Sequence, residues 1–234
     1  MVDQRIEVAT PPGPGALLVS APATSAPGEI TLLLGHGAGG QLDAVDLAAL
    51  AAELPAHGIR VIRFEQPWRT AGRKVAAPAA RLDEAWLAAA AEVTRRWPGR
   101  LITGGRSSGA RVACRTASST GAAGVVCLAF PLHPPGRPAK TRLPELLTPT
   151  VPVLVCQGTR DTFGDAAAVR QQIKGHDTIE VTVIGGADHG MKVRRSDALD
   201  APGVRSMIVS TVVDFIGRLG AQHRPPVESP IGGG

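Results

Sequence analysis

Gly105-Arg106-Ser107-Ser108-Gly109 lies between a short apolar run, Arg100–Thr103, and a stretch of helical character, Ser107 to Ser118. A serine with glycine two positions to either side, at a strand-to-helix junction, is the pattern of a nucleophile elbow. The turn is sharp and strained, and it lifts the hydroxyl clear of the backbone. The flanking glycines are required because neighbouring chain comes too close for a Cβ. The following helix points its N-terminus at the same place, which favours developing negative charge.

A serine hydroxyl is a poor nucleophile at neutral pH, so it needs a base and a group that orients the base. Downstream, Asp161 in CQGTRDTFG and His189 in GGADHGMK each follow a β-rich run. The order Ser, then acid, then His is the one used on α/β sheets. Ser107, Asp161 and His189 are therefore the candidate catalytic residues. Blander roles remain open for the same region. Ser107 could simply cap its helix, Ser108 could be the reactive serine of a shifted motif, and Asp165 could replace Asp161. Asp188, adjacent to His189, is a poor orienter.

The stretch LLLGHGAGG, residues 32–40, carries two signals at once. Gly35, Gly37 and Gly40 match the dinucleotide fingerprint G-x-G-x-x-G, and Glu65 closes the next strand. His-Gly-x-Gly instead suits a loop that aims backbone N–H groups at an oxyanion. The dinucleotide reading leaves Ser107, Asp161 and His189 unexplained and places Glu65 late for a ribose contact. The second reading is favoured. Ala38 and Ser108 then supply the two backbone donors, Gly37 permits close approach, and His36 buttresses the loop. Arg106 either steers an anionic substrate or pairs with an acid behind the elbow, and the second is preferred. His133, in FPLHPPG, either lines the pocket or packs. His57 is expected at the surface, and His176 and His223 lack catalytic context.

These residues need a scaffold that brings distant loops to one edge. Apolar runs at Ile6–Val8, Ala16–Ser20, Ile30–Leu34, IRVIRF (59–64), Arg100–Thr103, Val125–Phe130, Val153–Gln157 and Ile179–Ile184 read as strands. Helical stretches alternate with them. One runs from an Asp43 cap to about Pro55. Others cover Ala79–Trp97, where Leu82, Trp86, Val93 and Trp97 form a core stripe, and Asp165–Ile173 and Ser206–Leu219. Such alternation predicts a mostly parallel sheet with helices on both faces. Ligands then sit at the carboxyl ends of the strands. The Pro-rich segment 131–149 is too short for a large cap domain. Residues 1–221 are expected to form a single domain, with 222–234, rich in Pro and Gly, as a disordered tail.

The chain has 234 residues, a net charge of +5 and no Tyr. Its pI is about 9.7. The arginines are scattered and aromatics are few, so neither a stacking platform nor a basic block for nucleic acid is evident. Cys114, Cys127 and Cys156 have no metal-like spacing and read as buried free thiols. No run approaches the ~18 apolar residues of a membrane span, and the charged N-terminus lacks a signal-peptide core. A cytoplasmic location is expected, without metal or cofactor. Oligomeric state is not readable from the sequence.

The segments GHGAGG (35–40), GGRSSGAR (104–111), FPLHPPGRP (130–138), GTRDTFG (158–164) and GADHGMK (186–192) together resemble one branch of the α/β-hydrolases. That branch comprises the hydrolase-like domains of a testis-expressed protein and of a histone-acetyltransferase-complex subunit, and it is related to dienelactone hydrolases. The resemblance implies an α/β-hydrolase fold of about eight strands with Ser107, Asp161 and His189 in the triad positions. The expected activity is hydrolysis of small carboxylic esters or related acyl compounds. A hydrolase-like scaffold or binding protein with an inactive pocket is the rival reading.

Overall fold

The continuous apolar run ITLLLG becomes a strand because it is covered on both faces: Leu32, Leu33 and Leu34 are all fully buried. The computed structural model describes residues 4–24 and 29–221. The expected tail, 222–234, lies outside the described residues.

Among these residues the strands are β1 (Gln4–Thr10), β2 (Gly13–Ser20), β3 (Ile30–Gly35), β4 (Ile59–Glu65), β5 (Arg100–Arg106), β6 (Val125–Leu128), β7 (Val153–Gly158) and β8 (Ile179–Ile184). They form one sheet of eight strands in the order β1-β2-β4-β3-β5-β6-β7-β8. β1 pairs antiparallel with β2, and β2 antiparallel with β4. The remaining pairs are parallel.

The helices are α1 (Val45–Glu53), α2 (Pro67–Thr70), α3 (Ala79–Arg96), α4 (Ser108–Thr120), α5 (Leu143–Leu146), α6 (Ala166–Gln172) and α7 (Ala201–Ala221). Leu47 and Leu50 of α1 join Val204, Ile208 and Phe215 of α7 over one face of the sheet. Leu82, Trp86 and Val93 of α3 join Val112 of α4 and Val169 of α6 over the other. The helical spacing of these apolar positions is what lets each helix bury a single stripe. At under 2% exposure, Trp86 is the largest fully buried side chain of the core.

Two local expectations are corrected. Asp43 does not cap α1: the cap position is Ala44, which has no side-chain cap bond. The acid that matters is Asp46, inside the first turn and wholly buried. The short helices α2 and α5 carry too few residues to leave a periodic signature, so sequence pattern missed them.

The chain leaves β3 for β4 on one side, then returns to place β5 on the other side of β3. This reversal of strand order opens a crevice at the carboxyl ends of β3 and β5. The loop 36–44 leaves one strand there and Ser107 follows the other. The segment 131–149, containing α5, contributes to the wall and is no cap domain.

Candidate active site

Ser107 has φ 53° and ψ −110°, a positive-φ conformation rare for a residue with a side chain. The surrounding packing holds it there. A Cβ on Gly109 would stand 2.3 Å from the Gly35 carbonyl oxygen and 2.5 Å from its carbon. A Cβ on Gly105 would stand 2.6 Å from the same oxygen. Glycine at both positions is thus a requirement of β3 and the elbow touching backbone to backbone. The Ser107 N–H donates to Leu128 O at 2.9 Å, which ties the turn to β6.

His189 arrives from the loop after β8. Its Nε2 lies 3.0 Å from Ser107 Oγ and its Nδ1 lies 2.8 Å from Asp161 Oδ2. With Nδ1–H donating to the carboxylate, Nε2 is left to accept the serine proton. Phe163 stacks on the imidazole, with ring centroids 4.1 Å apart and planes 27° apart.

Asp161 is buried in the loop after β7. Its Oδ1 accepts from the Phe163 N–H at 2.8 Å, and its Oδ2 accepts from Gln157 Nε2 at 3.0 Å. The Gln157 amide also reaches Phe130 O and Gly164 O, so one buried side chain ties the loop after β6 to the loop after β7. The competing acids are otherwise engaged. Asp165 caps α6 by accepting from Ala168 N–H, and Asp188 accepts from Gly190 and Lys192 N–H within its own turn.

Arg106 does three things. It lines the cavity above Ser107, and its Nε stands 3.2 Å from Asp46 Oδ2, behind the elbow. Its Nη2 donates to the His189 carbonyl oxygen. Burial pushes the Asp46 carboxyl above the ordinary carboxylate range, while the Arg106 guanidinium pulls it the other way. Sequence reasoning missed Asp46. The available signal was an acid whose neighbours three and four residues on, Ala49 and Leu50, are core positions.

The loop after β3 brings Gly37 and Ala38 to the same cavity as Ser108, the first residue of α4. A first-turn N–H has no partner inside its own helix and is available to an incoming anion. The loop is pinned by a turn, Gly40 N–H to Gly37 O at 2.9 Å, and by His36. The His36 Nδ1–H donates to Gly37 O at 2.8 Å, and Nε2 accepts from the Gln66 N–H at 3.2 Å. His36 is 4% exposed, and burial lowers its pKa from 6.5. Its ring does not line the cavity. Nor does that of His133, whose backbone N–H donates instead to Phe163 O and joins segment 131–149 to the acid loop. Glu65 is taken up in an ion pair with Arg5 at 2.7 Å.

A sheet with a strained serine at its strand-order reversal, a histidine within hydrogen-bond reach and a buried acid behind it has the architecture of an α/β-hydrolase. A family described as an alpha/beta hydrolase domain matches residues 28–217, and the chain belongs to it. Solved structures agree in fold. An α/β serine hydrolase homologue from Coxiella burnetii superposes with a TM-score of 0.73 at 19% identity, covering 91% of this chain and 98% of that one. A serine hydrolase without a lid from Xanthomonas campestris gives 0.70 at 21% identity, covering 91% and 94%. Est1E from Butyrivibrio proteoclasticus gives 0.72 at 12% identity, covering 93% and 99%. Among the described residues, no helix is long and apolar enough to cross a membrane.

Proposed function

We propose that the protein is a serine hydrolase acting on small carboxylic esters or related acyl compounds. The observation that carries this reading is the continuous relay from Ser107 Oγ through His189 to Asp161, at 3.0 and 2.8 Å, with the serine on a strained elbow. In the first step His189 Nε2 takes the Ser107 proton as Oγ attacks the acyl carbon. Asp161 keeps the imidazole in its Nδ1–H form and stabilises the charged ring. The N–H groups of Ala38 and Ser108 receive the oxyanion. The ester C–O bond then breaks, and the alcohol leaves with the proton from His189. Water, deprotonated by the same nitrogen, releases the acid from the acyl-enzyme.

The cavity above Ser107 measures about 320 Å³. At ~30 Å³ per water in the liquid it has room for about ten waters, which suits a small substrate. Two of the structural neighbours, those from Coxiella burnetii and Xanthomonas campestris, are serine hydrolases or their homologues, and the motif segments resemble the branch of testis-expressed and histone-acetyltransferase-complex hydrolase-like domains. Both support the reading. Three buried free cysteines support a reducing, cytoplasmic setting.

The test is a fluorophosphonate probe alongside hydrolysis of p-nitrophenyl acetate. Wild type labels and turns over. Ser107→Ala does not label, and its kcat falls by about 10⁴-fold or more. Folded wild-type protein that neither labels nor hydrolyses any ester of a chain-length series belongs to an inactive scaffold instead.

A further inference from the structure

The cavity wall is cationic. Its lining includes three arginines, Arg106, Arg111 and Arg142, and, among the described residues, no aspartate or glutamate. Two of the three arginines are already matched by acids outside the cavity. Arg106 pairs with buried Asp46. Arg111 is held in a fork by Glu145, with Nε to Oε2 at 2.8 Å and Nη2 to Oε1 at 2.6 Å. Glu145 is shared further with Arg115, which also takes Asp83.

Arg142 is different. It is half-buried at the N-cap of α5. Among the described residues its side chain has no carboxylate partner and makes one long bond, Nη1 to Pro131 O at 3.3 Å. A guanidinium offers five N–H donors in a fixed plane, so most of the fork is unused. Burial and the neighbouring Arg111 charge both disfavour its cationic form, and Glu145 offsets this only in part. An under-satisfied guanidinium beside a second one, on the wall of a small cavity, costs the free protein energy that a bound anion would recover.

We propose that Arg142, with Arg111 fixed beside it, is a specificity-determining subsite for a carboxylate carried by the ester substrate. This deepens the hydrolase reading and rests on it. The forked donors match the two oxygens of a carboxylate. In a cavity this small that carboxylate lies only a few bonds from the scissile carbonyl. Segment 131–149 therefore supplies substrate recognition in place of a lid.

The test compares matched esters in two series. The mono-p-nitrophenyl ester of glutaric acid is set against p-nitrophenyl pentanoate, with the charge on the acyl side. Acetoxyacetate is set against ethyl acetate, with the charge on the alcohol side. The readout is the ratio of kcat/KM, anionic over neutral, after subtraction of spontaneous hydrolysis. Wild type is expected to show a ratio of about tenfold or more in one series, the scale of one charge-assisted hydrogen-bonded pair. Arg142→Gln brings that ratio to near one, and Arg142→Lys restores part of it. A wild-type ratio of one or less in both series overturns the subsite, as does a ratio unchanged in Arg142→Gln.

A second arm needs no turnover. Monomethyl glutarate is titrated against Ser107→Ala by ligand-observed NMR, with dimethyl glutarate as the neutral control. Preferential binding of the monoanion that is lost in the Ser107→Ala/Arg142→Gln double variant supports the subsite, and equal binding of both compounds refutes it. If binding discriminates while no ester is hydrolysed, the hydrolase reading fails and the anion site stands.

Discussion

On the serine side of the cavity, position is set by backbone against backbone. Gly105 and Gly109 bring the elbow so close to the Gly35 backbone of β3 that no Cβ fits at either, and Ser107 is anchored through its own N–H. On the histidine side, position is set by side chains reaching across the fold. Arg106 of β5 donates to the His189 carbonyl, Asp46 of α1 holds Arg106, and Gln157 of β7 holds Asp161. One half of the site is thus built into the sheet and the other is strapped onto it. Steric closeness leaves no adjustable partner, whereas a strap can be cut one residue at a time.

The largest effect should come from disturbing the built-in half. Gly109→Ala pushes a methyl group into the Gly35 carbonyl, and neither side is a flexible chain end. Overpacking of this kind costs about 3 kcal/mol at the upper end of its usual range. For a domain of this size that lowers the melting temperature by roughly 6–12 °C. Activity should fall with it, because displacing β3 also displaces the loop carrying Ala38. A variant that melts like wild type would mean the elbow tolerates more than its contacts allow.

Cutting a strap should do less to the fold and proportionately more to turnover. Asp46→Asn keeps the side-chain volume and an oxygen for the Leu47 N–H, but removes the charge opposite Arg106. Breaking a sealed ion pair costs ~3–5 kcal/mol. The Arg106 side chain is 13% exposed at the cavity, so about 2 kcal/mol is expected here. With Arg106 no longer fixed, the His189 loop loses its tether, and kcat should drop by about tenfold with KM little changed. Steady-state kinetics on folded Asp46→Asn decides it. An unchanged kcat would show that backbone alone holds the histidine.

The same contrast explains what could be read from the sequence. The elbow was legible because a steric demand is written locally, as glycine at fixed spacing around Ser107. The strands were legible because burial on both faces selects unbroken apolar runs. The straps were not, because each joins residues far apart in the chain. Nothing in VDLAAL says that Asp46 meets an arginine sixty positions on, and the helix start was misplaced at Asp43 for want of that partner. Gln157 left a faint trace, a polar residue closing the apolar run VLVCQ just ahead of the acid loop. Arg142 left none, since an arginine in a Pro-rich loop looks like surface until the fold brings it to the cavity.

The smallest predicted effect probes a side-chain strap on the serine side. His36 ends at Gly37 O in the loop after β3 and at the Gln66 N–H after β4. Its Nε2 must stay unprotonated to accept that N–H, and burial lowers its pKa from 6.5 in the folded protein. The unfolded chain therefore binds a proton that the folded protein refuses. Stability from this group is complete above about pH 6.5 and is lost as pH falls toward the depressed folded value, at up to ~1.4 kcal/mol per pH unit. Urea unfolding of wild type at pH 7.5 and pH 5.5 should show the loss. His36→Gln should lose less over the same interval, although it starts lower at pH 7.5. Parallel losses in the two proteins would mean that the ring accepts its proton in place, and that the loop after β3 does not depend on the Gln66 bond.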